Sequence, residues 1–115
     1  MKTILVVITV LLTGCSVILP KAHDPYMLSD LAEIKLIVDN IKCGNENMWG
    51  SADMRIEKLE IYTKWRDDPQ ALALKSLREN LSKARESKNI KFCESLLNIN
   101  KSRIDVIADA WKGRK

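Results

Sequence analysis

The stretch "DDPQALALKSLRENLSKARESKN", residues 67–89, decides the fold. Its head reads as a helix start: Asp68 as the capping acid, Pro69 at the first helical position, and Asp67 beside the positive end of the helix dipole. Leu74, Leu77, Leu81 and Ala84 then recur at steps of three and four, which places them on one face of an α-helix. The tail, "ESKN" at 86–89, is the decisive point. If Ser87 or Asn89 caps a new helix, the chain has four helices. If neither does, the last two fuse into one rod and a three-helix bundle results. The break is the favoured reading. The expected fold is therefore all-α, a small up-and-down bundle of four helices, with three helices including one long one as the alternative.

The flanks follow the same period. Asp24-Pro25 repeats the acid-proline start, and Met27, Leu31, Ile34, Val38 and Ile41 step by four, three, four and three. Leu28 and Ile37 widen that stripe, and Gly44 is expected to stop the helix just after Cys43. "GNEN" at 44–47 is a turn. A second helix is expected from near Asn47 or Ser51 to about Arg66, with Ala52, Ile56, Leu59 and Tyr62 or Thr63 inside and Trp49 and Trp65 at its ends. The last stripe runs through Phe92, Leu96 or Leu97, Ile104, Ile107, Ala108 and Trp111 to Gly113. Polar Asn100 stands where the spacing calls for an apolar residue, and Ile99 is expected to share that face. No segment alternates as a strand does.

The first residues carry a different message. Met1 and Lys2 lead into "TILVVITVLLTG", one positive charge before an apolar run that ends on small residues, the layout of a secretory signal peptide. Even extended through Leu19, the run falls short of the roughly 20 residues that span a bilayer. Leu12-Thr13-Gly14-Cys15 resembles the lipobox of bacterial lipoproteins. That resemblance covers the signal region alone. It implies a cut before Cys15, a diacylglycerol on its thiol and an acyl group on the new amine. Ser16 follows, where an Asp would mark retention in the inner membrane, so the resemblance implies the periplasmic face of the outer membrane. The chain then divides into a signal peptide at 1–14, a lipidated Cys15 with a tether at 15–24, and a helical domain at 25–115.

Cleavage would leave 101 of the 115 residues, enough for one small domain. Of 19 Lys and Arg, Lys2 leaves with the signal, so 18 cations face 15 acids, a net of +3. So mild a charge gives no reason to expect a nucleic-acid partner. Besides Cys15 there are two cysteines, Cys43 and Cys93, and in an oxidising compartment such a pair forms a disulfide. In an up-and-down bundle the first and fourth helices are neighbours. Cys43 falls at the end of the first and Cys93 at the start of the fourth, so both lie at the same end of adjacent helices.

Candidate functional residues fall at the two ends. Tyr26, Tyr62, Trp65 and Trp111 gather where the tether joins, either as a plug of the core or as a contact with lipid headgroups or a partner. Lys83, Arg85, Lys88 and Lys91, with Lys42, gather at the far end, either as a solvated turn or as a patch for anionic cell-wall material or an acidic partner. No catalytic residue is expected. The one histidine, His23, lies in the tether, the four glycines are scattered singly, and Asp67 and Asp68 are explained by capping. One histidine and no CxxC argue against a metal site. No cofactor is expected beyond the covalent lipid on Cys15.

The leading expectation is a non-enzymatic interaction module on the outer membrane, engaging a periplasmic or membrane protein. Its size and simple build look like the partner-blocking lipoproteins of phages and plasmids, or assembly factors. One alternative is the outer-membrane subunit of a phage spanin, a small lipoprotein that links the two membranes in lysis, although those subunits are often proline-rich and extended. Another is an inhibitor of a cell-wall enzyme, for which residues 44–50 form the sole loop long enough to protrude. Braun-type lipoproteins join peptidoglycan through a C-terminal lysine, and Lys115 makes that contact a further expectation. Those proteins, however, are continuous coiled coils, and proline and glycine interrupt this chain.

Overall fold

A computed structural model describes residues 24–114. The signal peptide at 1–14, Cys15, His23 and Lys115 lie outside the described residues. Within them the chain forms four helices: α1 Pro25–Asp39, α2 Trp49–Trp65, α3 Ala71–Glu86 and α4 Ile90–Lys112. The helices run alternately down and up. α1 packs on α2 and α4, and α3 packs on the same two, which is the square ring of an up-and-down bundle.

The break at 86–89 is real, and its chemistry is local. Asn89 is the N-cap of α4 and its side-chain oxygen accepts from the Phe92 amide at 3.1 Å. The Ser87 hydroxyl accepts from the Asn89 amide at 3.2 Å, so Ser87 shapes the turn and Asn89 caps the helix. The Cys43–Cys93 disulfide joins the end of the α1 segment to the first turn of α4, with 6.0 Å between Cα atoms. Both alternatives raised by the sequence are thus decided: four helices, stapled at the end far from the tether.

The core is the set of stripes seen in the sequence. Met27, Leu31, Ile34 and Val38 of α1, Ala52, Ile56 and Leu59 of α2, Leu74, Leu77, Leu81 and Ala84 of α3, and Ile104, Ile107 and Trp111 of α4 are all buried. Each fully buried Leu or Ile contributes roughly 1.5–3 kcal/mol through removal of its surface from water. No described helix is long and apolar enough to cross a membrane.

Four local expectations need correction. First, α1 ends at Asp39 rather than at Cys43. The Asn40 side chain donates to the Leu36 carbonyl at 2.7 Å and its amide turns back to Ile37 and Val38, which ends the helix early. Ile41 stays buried outside the helix, and Gly44, with φ +86°, serves the following turn instead of the helix end. Second, α3 begins at Ala71, two residues after Pro69. Asp68 still takes a nearby amide, that of Gln70 at 2.9 Å, but from a turn before the helix. Third, Phe92 is half exposed, and the α4 stripe starts at Cys93. The bridge to Cys43, in the segment after α1, goes with that phase, giving Cys93, Leu97, Asn100, Ile104, Ile107 and Trp111 at steps of four and three. Fourth, Asn100 is fully buried and Ile99 is half exposed. The Asn100 amide nitrogen donates to the Leu96 carbonyl at 2.8 Å, while its buried oxygen has no partner.

α2 ends in a Schellman motif without its usual glycine. The Asp67 backbone amide donates to the Lys64 carbonyl at 3.0 Å and the Asp68 amide to the Thr63 carbonyl at 2.9 Å. Asp67 holds a φ of 53°, the left-handed region that costs a side chain about 1 kcal/mol. Asp67→Gly is therefore expected to raise unfolding stability by about 0.5–1 kcal/mol, read as a higher urea midpoint with unchanged slope. A lower midpoint would show that the Asp67 carboxylate contributes more than its backbone costs.

Candidate functional site

The end of the bundle that receives the tether is built around Asp24. This residue is the N-cap of α1, and one carboxylate oxygen accepts from the Tyr26 amide at 2.9 Å. The other accepts from the Tyr62 hydroxyl at 2.7 Å and the Arg66 guanidinium at 3.0 Å. Arg66 also lies over the Tyr62 ring, 5.9 Å from its centroid. The point where the chain joins the domain is thereby fastened to the last turn of α2. The Tyr62 hydrogen bond, with help from the Tyr26 amide and Arg66, holds the Asp24 carboxyl below its ordinary pKa, against the opposing effect of burial.

The four aromatic residues expected at this end separate. Tyr26 and Trp65 are largely exposed, Tyr62 is half buried and bound to Asp24, and Trp111 is fully buried. Trp111 belongs to the core, so it drops out of any surface contact. Leu72, in the first turn of α3, is exposed at the same end and was not singled out in the sequence. Its signal was its phase: it stands outside the stripe that begins at Leu74.

A second buried charge closes this end. Arg114, just past α4, donates to both carboxylate oxygens of Asp68, one contact at 2.9 Å. The Asp68 side chain is fully buried and that of Arg114 is 10% exposed. Burial would raise the Asp68 pKa, but the Arg114 hydrogen bonds and the Gln70 amide outweigh it and lower it. The Trp111 indole N–H lies near this carboxylate without a hydrogen bond of standard geometry. Further along the bundle, Glu60 is buried on α2 and accepts from Arg78 of α3 at 3.0 Å and from Lys64 at 2.8 Å. Burial again opposes and these two cations prevail, so the Glu60 pKa is lowered too.

All three carboxylates are depressed, so each stabilises the fold while ionised. Their contribution is complete above the ordinary carboxylate range, near pH 4, and is lost as pH falls through the lower folded values. Urea midpoints are thus expected to stay level between about pH 5.5 and pH 7 and to drop below about pH 4. A midpoint that held level to about pH 2.5 would show that these pairs do not couple to folding.

At the far end Lys42, Lys83, Arg85, Lys88 and Lys91 are all exposed. Arg85 meets Glu46 at 3.3 Å, an exposed pair worth little. The surface is shallow. A hollow of about 440 Å³ follows the outer face of α2, lined by Met54, Glu57, Lys58, Ile61, Tyr62 and Trp65. Among the described residues no group of three or more His, Cys, Asp or Glu could hold a metal ion. No family model, curated protein or solved structure matches this chain.

Proposed function

We propose that this protein is a non-enzymatic lipoprotein of the outer membrane's periplasmic face, acting as an interaction module toward a periplasmic or membrane protein in the partner-blocking or assembly manner. The observation that carries the reading is the pairing of a lipobox at Leu12-Thr13-Gly14-Cys15 with a disulfide between Cys43 and Cys93. A thiol pair in stable covalent linkage belongs in an oxidising compartment, and the lipobox is an address to one. Asp24, Glu60 and Asp68 support it as well, since each is tied to structural cations rather than turned toward an open cleft.

The test is the intact mass of the protein extracted from membranes without reductant. The reading expects residues 15–115 plus three acyl chains, less the two hydrogens of one disulfide. A mass for residues 1–115 with free thiols overturns it. The partner-blocking manner is checked by expressing the chain alone and challenging cells with phages and conjugating plasmids. Protection against one of them supports that role.

A further inference from the structure

We infer that the tether end of the bundle is a docking face for a phospholipid surface, with Trp65, Tyr26 and Leu72 as its apolar contacts. This rests on the lipid-anchor reading above and adds an orientation to it. Trp65, Tyr26 and Leu72 are 80%, 76% and 75% exposed, the three most exposed large apolar side chains among the described residues. They come from three helices: Tyr26 from the first turn of α1, Trp65 from the last residue of α2, and Leu72 from the first turn of α3. All three therefore lie at one end of the bundle. Nothing in the fold uses them, and leaving them in water has a cost.

The tether says what covers them. Cys15 and Asp24 are nine Cα steps apart, so the acylated cysteine stands no more than about 30 Å from Asp24. Asp24 itself is fixed to Tyr62 and Arg66, within one turn of Trp65. The membrane is thus held beside this face at high effective concentration, whatever other partner is present. The far end, where Met48, Ile90 and Phe92 are about half exposed, is displaced by the 23-residue length of α4, about 35 Å. An amphipathic ring such as Trp or Tyr suits the headgroup level of a bilayer.

The sequence supplies its own probe. Of the three tryptophans, Trp49 and Trp111 are 5% and 1% exposed, so quenchers reach Trp65 first. The full acylated chain, its mass confirmed, is placed in vesicles of phosphatidylethanolamine and phosphatidylglycerol. Trp65 is expected to be quenched by brominated acyl chains and shielded several-fold from iodide. In the Trp65→Phe, Phe92→Trp chain the far-end reporter is expected to show the reverse. Trp65 open to iodide and untouched by brominated chains overturns the inference, as does quenching of the Phe92→Trp reporter in its place. Trp65 shielded from iodide but silent to brominated chains means that protein covers it, and also overturns it. A mass without acyl groups removes the anchor reading itself, and this inference with it.

Discussion

Replacing Cys43 and Cys93 together with alanine is expected to lower the free energy of unfolding by about 4 kcal/mol. The bridge closes a loop spanning 50 positions and ties the segment after α1 to the first turn of α4. Without it the unfolded chain regains the freedom of that loop, which is the main stabilising effect of a cross-link. The native state loses packing as well, because Cys93 is 3% exposed and opens the α4 stripe. A domain of this size has about 5–15 kcal/mol in total, so the loss is a large share of its stability. Urea unfolding of the native chain with and without reductant, beside the double variant, checks it. Reduction and substitution should give similar losses. A loss below about 1 kcal/mol in both would mean that the reduced unfolded chain already keeps these two ends close.

The staple and the stripes differ in how far the sequence reveals them. Leu74, Leu77, Leu81 and Ala84 were legible because a long run at one period has a single inward face. The α4 stripe was misread by one residue at its start, since Phe92 is the more apolar side chain and period alone does not choose between neighbours. The covalent bond chooses: it needs Cys93 facing α1, and Leu97, Asn100 and Ile104 follow in phase. Once that phase is set, Asn100 must be inside despite its polarity. Trp65 and Trp111 were grouped because both stand near helix ends. Their phases differ, as Trp111 is four residues past Ile107 while Trp65 is two past buried Thr63, and that difference separates a core ring from a surface one. The Asp24–Tyr62–Arg66 and Asp68–Arg114 contacts join residues 38 to 46 positions apart, and no local pattern encodes such pairs.

The last of those pairs gives the second large effect. Arg114→Leu alone is expected to destabilise the fold by about 3 kcal/mol, because it leaves the Asp68 charge buried without its counter-ion. The size comes from the stranded carboxylate more than from the lost attraction, and three comparisons separate the two. Asp68→Asn with Arg114→Leu removes both charges, and the Asn oxygen can still accept from the Gln70 amide. That double variant should recover much of the loss, so the two changes should fall short of additive by about 1.5–3 kcal/mol. Acid is the second lever. In the single variant burial acts on Asp68 without its main counterweight and its pKa rises, so protonation relieves the strain. The gap to the native chain should therefore narrow as pH falls, first as the variant's Asp68 takes up its proton and then as the native Asp68 does so at its lowered value. If the double variant were as unstable as the single one, or the gap persisted in acid, lost packing of the Arg114 stem would be the cause instead. The third lever is position: this pair holds the turn that runs from Trp65 to Leu72, so loosening it should also reduce the bromolipid quenching of Trp65. Loss of stability without loss of quenching would place the two roles on separate parts of that end.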